Sequence, residues 1–235
     1  MRLFTDTPQR VLAIYAHPDD ADIACGGALA TWAAQGASVT LVTVCDGAKG
    51  TRGAHHDPRE LAEIRRHELT VAASQLGVSE VLSLGRADGE AVNDETLRRD
   101  IVALIRRLRP DALLGPDPTA TFFGSVYVNH RDHRETGWAL LDAVAPAAAM
   151  PLYFPDAGEP HEVETVLLSG THEADVVVDI AGALDAKCKA VLAHTSQISG
   201  DLFDVRDVVH DRAAETGLLV SVTAGEAFRE LRLFG

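Results

Sequence analysis

Two short clusters of histidine and aspartate contain residue types that bind metal ions: HPDD at residues 17–20 and HRDH at residues 130–133. In each cluster the first and fourth residues are spaced i, i+3, which places them on one face of a turn. Two histidines and one carboxylate with an open fourth position form a catalytic zinc site, and the same set suits ferrous iron. Taken alone, HPDD could also be a helix cap whose aspartates complement the helix dipole. The presence of both clusters favours a metal site.

Each cluster follows a predicted strand and begins a predicted helix. The apolar run 11–15 precedes the first cluster, and a helix rich in small residues then ends at Gly36. The strand 111–115 and a long polar loop, 116–129, precede the second cluster. In open α/β sheets, ligands bind at the carboxyl ends of the strands, so we expect the two clusters to meet there.

The remaining elements alternate between strand and helix. Apolar runs predict strands at 38–45 and 81–84, and further short strands at 152–155, 163–168 and 176–180. Capping residues and apolar spacing predict helices at 58–76, 95–108, 135–145 and 181–194, while the tail from residue 199 is ambiguous. This order predicts a Rossmann-like α/β fold with a doubly wound, mostly parallel sheet flanked by helices. We expect a single domain over 1–235, with a core of about 10–197 and a less regular C-terminal cap of about 150–235.

Composition excludes several classes of partner. The chain has 235 residues, 46% of them hydrophobic, and a formal net charge of −14, which disfavours nucleic acid and anionic membranes. No apolar run is long enough to cross a bilayer, and the N-terminus lacks the apolar region of a secretory signal, so we expect a cytoplasmic protein. The three isolated cysteines indicate core positions rather than disulfides. Whether the chain forms a homo-oligomer stays open.

The paired motifs resemble the LmbE/PIG-L family of zinc-dependent N-deacetylases. The resemblance includes Gly26-Gly27, Asp46-Gly47, Asp88-Gly89 and the 189–197 segment KAVLAHTSQ, and it extends over residues 11 to about 197. It implies removal of an acyl group, usually acetyl, from the nitrogen of a small amino sugar or glycoside. Arg131 stands where many members have proline, and Ala48 where many have an acidic residue, which leaves substrate preference open.

The resemblance also implies a role for individual residues. The metal ligands would be His17, Asp20 and His133, holding zinc or, alternatively, ferrous iron or another divalent ion. Asp19 would be the general base, and a protonated His130 the electrophilic or acid partner. Asp132 would accept a hydrogen bond from an imidazole and orient it. Residues expected to face the substrate are Arg65, Asp88 and His194, the last with a structural role as the alternative.

This assignment agrees with the chemistry of amide hydrolysis. Zinc lowers the pKa of bound water to about 7, and a carboxylate that does not bind the metal can take the proton. Two other functions stay open: a metal-dependent phosphoesterase, and a sugar- or ligand-binding protein without catalysis. His55 and His56 are interpreted as a solvated loop rather than further ligands, and the basic run Arg106, Arg107 and Arg109 as a solvated helix face.

Overall fold

The computed structural model describes residues 1–51, 53, 57–198 and 202–233, with only the backbone at 202 and 203. His55 and His56 lie outside the described residues. The strands are β1 Arg2–Leu3, β2 Arg10–Tyr15, β3 Ser38–Cys45, β4 Glu80–Arg86, β5 Ala112–Pro116, β6 Phe122–Phe123, β7 Tyr127–Val128, β8 Thr165–Ser169, β9 Val176–Asp179 and β10 Gly225–Arg232. The helices are α1 Asp20–Ala34, α2 Pro58–Leu76, α3 Glu95–Leu108, α4 Arg131–Asp142, α5 Leu184–Ala193 and α6 Leu202–Leu218. A kinked segment, Ala143–Ala148, continues from α4.

Eight strands form one sheet in the order β1-β9-β10-β8-β5-β2-β3-β4. All neighbouring pairs are parallel except those of β10, which runs antiparallel to both β8 and β9. Helices α1, α2, α5 and α6 cover one face of the sheet, and α3 and α4 cover the other, each over its own hydrophobic core. The predicted mostly parallel α/β sheet flanked by helices is therefore confirmed. Every described helix is too short or too polar to span a bilayer.

Local capping signals gave accurate helix bounds. Asp57 accepts a hydrogen bond from the backbone N–H of Arg59 at 2.9 Å, and Pro58 occupies the first helical position of α2. Gly77 ends the helix in the left-handed conformation, with φ of 71°. The bounds of α2, α3 and β3 agree with the sequence prediction. The three cysteines are buried and free, as expected.

Segments without local signals differ from the prediction. The 116–129 loop contains a small antiparallel hairpin, β6–β7, and α4 begins at Arg131, earlier than the predicted 135. The strand predicted at 152–155 is wrong: this segment is a run of turns in which Leu152 is exposed to solvent. The C-terminal third continues the main sheet through β8, β9 and β10, and its ambiguous tail forms α6 and β10.

Arg106 corrects the interpretation of the basic run as a solvated face. Its side chain is 4% exposed, and its guanidinium donates hydrogen bonds of 2.8–3.2 Å to backbone carbonyls of residues 147–158. The carbonyls belong to Ala147, Ala148, Met150, Tyr153, Phe154 and Gly158. A planar guanidinium with five N–H groups can satisfy a turn-rich segment that lacks backbone partners of its own.

A buried ion pair binds the backbone of α1. Lys187 of α5 and Glu226 of β10 contact each other, and both are nearly inaccessible to solvent. The Glu226 carboxylate accepts hydrogen bonds from the backbone N–H groups of Gly27 and Ala28 at 2.9 and 2.8 Å, and Lys187 donates to the carbonyl of Ile23 at 2.7 Å. An α-helix ordinarily pairs the N–H of residue 27 with the carbonyl of residue 23. Two elements from the C-terminal third therefore hold the helix that begins at the first cluster.

Candidate metal centre

The sheet brings the two predicted clusters together. Strands β2 and β5 are parallel neighbours, with Leu12 opposite Leu113, so their carboxyl ends lie at the same edge. His17 follows β2 directly, and the 130–133 cluster opens α4, the helix that follows β5. Both clusters therefore lie in the crevice where open α/β sheets bind ligands.

Three side chains from the clusters have the spacing that a tetrahedral ion requires. His17 Nδ1 is 3.2 Å from His133 Nε2 and 3.3 Å from Asp20 Oδ2, and His133 Nε2 is 3.1 Å from Asp20 Oδ1. Ligand atoms about 2.0–2.1 Å from a tetrahedral zinc are about 3.3 Å apart. The donor set and its spacing therefore fit a metal ion with an open fourth position.

The histidine rings are oriented by hydrogen bonds on their far sides. His17 Nε2 lies 3.2 Å from both Asp132 Oδ2 and Asp88 Oδ1, and His133 Nδ1 lies 3.1 Å from Asn129 Oδ1. Asn129 Nδ2 donates to the carbonyl of Ala120 at 2.8 Å, so its Oδ1 is left to accept from His133. Each ring thus has an acceptor for its far N–H and turns its other nitrogen toward the cluster, which is the arrangement of metal-ligating histidines.

Sequence reasoning missed Asn129. Its signal is its position four residues before His133, at the end of the long loop, where an amide can reach the next turn. The expectation for Asp132 agrees with its contacts. Its buried carboxylate also accepts N–H groups of Gly89 at 2.7 Å and Ala91 at 3.1 Å, which ties the loop after β4 to α4.

Three carboxylates around His17 favour its protonated form in the metal-free protein. Burial alone would lower the pKa of His17, but hydrogen bonds to Asp132, Asp20 and Asp88 raise it to about 12. Burial opposes ionisation of Asp20, but the positive charge of His133 and hydrogen bonds from both histidines lower the pKa of Asp20 below its usual range. A metal ion entering this site must displace the proton on His17.

The adjacent aspartates of the first cluster have different partners. Asp20 lies between the two histidines, whereas Asp19 Oδ1 accepts a hydrogen bond from Arg65 Nη2 at 2.6 Å. Arg65 is 3% exposed, and its Nη1 donates to the carbonyl of Gly47 at 3.0 Å. Arg65 therefore lies behind Asp19 and fixes that carboxylate, while its expected contact with the substrate stays a prediction.

His130 lies at the rim of the cluster. Its side chain is 46% exposed, and its ring centre is 5.0 Å from that of His17. Burial and the charge of His17 lower the pKa of His130, which disfavours the protonated form expected from the sequence. His130 Nδ1 accepts the backbone N–H of Asp132 at 3.2 Å, which leaves the hydrogen on Nε2.

Asp88 and His194 both have protein partners, and for His194 these agree with the structural role that was the alternative. Asp88 is buried, with its carboxylate against His17 and the backbone N–H of Lys49 at 2.9 Å. His194 is 2% exposed, and its Nε2 pairs with Asp22 Oδ2 at 2.7 Å. Both side chains therefore orient neighbouring elements. The sequence indicates the type and position of these residues, but it does not indicate the direction of their side chains.

A cavity of about 710 Å³ opens beside the cluster. We call it the site cavity; residues that line it include Asp20, His133, Tyr15, Phe123, Tyr127 and Ser169. Phe123 and Tyr127 belong to the β6–β7 hairpin and stack with ring centres 5.8 Å apart. Asp19 and His130 are not among the lining residues, so the site cavity lies on the Asp20–His133 side of the cluster.

Comparisons with known proteins agree with this geometry. The family model "PIG-L: GlcNAc-PI de-N-acetylase" matches residues 12–144. Diacetylchitobiose deacetylase of Thermococcus kodakarensis is 33% identical over 200 residues, which cover 84% of this chain and 73% of the relative. A 1D-myo-inositol 2-acetamido-2-deoxy-alpha-D-glucopyranoside deacetylase of Kineococcus radiotolerans is 28% identical, over 84% of this chain and 71% of the relative. The solved structure of N,N'-diacetylchitobiose deacetylase from Pyrococcus horikoshii is 30% identical, with a TM-score of 0.87 over 96% of this chain and 84% of that one.

Proposed function

The chain belongs to the PIG-L family of GlcNAc-PI de-N-acetylases, and on that premise we propose that it hydrolyses the N-acyl amide of a small amino sugar or glycoside. The observation that carries the proposal is the convergence of His17, Asp20 and His133: the two histidine nitrogens are 3.2 Å apart, and each lies 3.1–3.3 Å from one of the two oxygens of Asp20. Asp19 directly precedes Asp20, and the ring centre of His130 is 5.6 Å from that of His133, so both are near the ligands, where a base and a hydrogen-bond donor are needed.

Zinc is the proposed metal, and when bound it supplies an activated water and polarises the amide carbonyl. His17, Asp20 and His133 would hold it. Ferrous iron uses the same residue types, so metal analysis must decide between the two. The cytoplasmic location, the single-domain organisation and the absence of nucleic-acid or membrane partners stay predictions from the sequence.

Asp19 is proposed as the general base. Arg65 occupies its Oδ1, and Oδ2 accepts no hydrogen bond from any residue that the structure describes. Oδ2 takes a proton from the attacking water and returns it to the leaving amine nitrogen. Because Arg65 holds the carboxylate in one orientation, the base needs little reorganisation when the substrate binds.

His130 is proposed as the donor to the developing oxyanion. Its Nδ1 already accepts the N–H of Asp132, so the neutral ring carries its hydrogen on Nε2. A neutral N–H donor stabilises the negative charge that forms on the carbonyl oxygen without first requiring protonation of the ring. The pKa of His130, which lies below its ordinary value, agrees with this role at neutral pH.

The test combines metal analysis with product analysis. The full chain is purified without chelators, its metal content is measured, and acetate and free amine are followed with N-acetylglucosamine and its glycosides. We expect about one zinc per chain and equal amounts of the two products. A protein without divalent metal, or one that releases phosphate from phosphomonoesters but no acetate, contradicts the proposal.

Matched variants test the base. Asp19 and Asp57 both occupy the position before a helix, at α1 and α2. Asp19→Asn is expected to lower kcat by about 100-fold or more while metal content is kept. Asp57→Asn, the same change at the start of α2, is expected to keep kcat. Unchanged kcat in Asp19→Asn contradicts the assignment.

A further inference from the structure

A second cavity adjoins the site cavity. It measures about 600 Å³ and lies between α1, α5, α6 and β10, and we call it the side cavity. Aliphatic side chains line much of it, among them Ile23, Val191, Val205, Val208 and Val209. Its buried charges, Lys187 and Glu226, are already paired with each other and with the backbone of α1.

The two cavities share part of their walls. Ile23 and Ala24 of α1, Gly170 after β8, and Arg212 of α6 line both. Arg212 is exposed, so its methylene groups can border the junction while its guanidinium stays in water. The two cavities therefore adjoin, and together, as what we call the path, they reach from the metal ligands Asp20 and His133 to the valines of α6.

The path is much larger than an acetyl group needs. Cavities of about 300–1,000 Å³ hold drug-sized ligands, and an acetyl group presents only a methyl beyond the carbonyl carbon. The site cavity and the side cavity each fall within that range.

The position of Asp19 indicates which end of the substrate lies in this path. Asp19 returns the proton to the leaving amine, so the amine nitrogen must be near Asp19, which is outside the lining of both cavities. The acyl substituent is bonded to the other side of the carbonyl carbon. It therefore points toward Asp20 and His133, where the site cavity opens.

From this arrangement, and resting on the proposed amide hydrolysis, we infer that the enzyme acts on N-acyl amines whose acyl chain is longer than acetyl and apolar. The acyl chain extends through the site cavity, and its end lies in the side cavity. One water is consumed: the C–N bond breaks, a C–O bond forms, and the products are a fatty carboxylate and the free amine.

A chain-length series tests the inference. The zinc-loaded full chain is assayed with N-acylglucosamines carrying acyl groups of two, four, six and eight carbons, and released glucosamine is measured. We expect kcat/KM to rise at least about twofold per added methylene, since complete burial of a methylene gives about fourfold. A flat or falling series, with acetyl still released, overturns the inference and leaves the proposed function intact. Release from no substrate at any length shows instead that the proposed function fails.

A variant that blocks the side cavity tests where the acyl chain binds. Val208→Trp fills the side cavity from α6, whereas Leu218→Trp, on the same helix, places the same ring at a position that is 78% exposed and outside both cavities. The quantity compared is kcat/KM for the eight-carbon substrate divided by kcat/KM for the two-carbon substrate. We expect this ratio to fall at least about tenfold in Val208→Trp and to stay unchanged in Leu218→Trp. An unchanged ratio in Val208→Trp overturns the inference.

Alkyl glycosides of N-acetylglucosamine provide the last arm, because an apolar tail can also be attached through the sugar. If kcat/KM rises with the length of the glycoside tail but not with that of the acyl chain, the assignment of the acyl chain is overturned. A rise with acyl length alone supports it.

Discussion

Asn129 Oδ1 accepts a hydrogen bond from His133 Nδ1 at 3.1 Å, while its own amide N–H binds the carbonyl of Ala120. The amide therefore sets which nitrogen of His133 faces the cluster. Partners of this kind commonly change metal affinity by about 10–100-fold when removed.

Asn129→Leu is accordingly expected to weaken zinc binding by about 10–100-fold, measured by competition with a chelator. Asn93→Leu is the control, because Asn93 pairs with Asp142 away from the cluster. Equal zinc affinity in the two variants contradicts the role of Asn129.

The affinity for zinc should rise as the pH rises. Three carboxylates raise the pKa of His17 to about 12 in the metal-free protein, so a proton competes with the metal throughout the neutral range. The apparent zinc affinity is expected to rise at least about tenfold per pH unit between pH 6 and 8, with release of at least one proton per ion. Calorimetry in two buffers of different ionisation enthalpy measures that release. Zinc affinity that does not vary with pH contradicts the prediction.

Arg65→Met is expected to lower kcat by about 10–100-fold, because Asp19 loses the partner that holds its carboxylate in place. Arg66→Met removes the neighbouring exposed guanidinium and should have little effect on kcat. Steady-state kinetics at saturating substrate, together with metal content, separates loss of the base from loss of the metal. If both variants keep wild-type kcat, Arg65 does not position Asp19.

Arg106→Met is expected to lower the free energy of unfolding by at least about 3 kcal/mol, since several buried carbonyls lose their donor and each costs about 1–3 kcal/mol. Arg107→Met, at an exposed position of the same helix, should change it by less than about 0.5 kcal/mol. Denaturant titration measures both values. Similar unfolding free energies for the two variants would refute the structural role of Arg106.

The sequence specified most where the signals were local. Asp57, Pro58 and Gly77 fix the ends of α2 through their own backbone preferences, and the alternation of strands and helices places both clusters at one sheet edge. The turns at 152–155 depend on the distant Arg106, and the β6–β7 hairpin contacts the distant His172, so local patterns could not reveal either segment.

The site shows the same division. Convergence of His17, Asp20 and His133 follows from topology, because neighbouring parallel strands bring their carboxyl ends together. The roles of Arg65, Asp88 and His194 depend on side-chain direction and burial. All three turn toward other protein groups, and spacing along the chain contains no information about that choice.

The Lys187–Glu226 pair has a consequence for the order of folding. Gly27 and Ala28, which lie within the first helix, receive their carboxylate partner from a strand near the end of the chain, about 200 residues later. During synthesis on the ribosome the N-terminal half can form its strands early, but the helix that carries Asp20 cannot acquire this partner until residue 226 has emerged. The backbone of α1 therefore reaches its final hydrogen bonding only after β10 has joined the sheet.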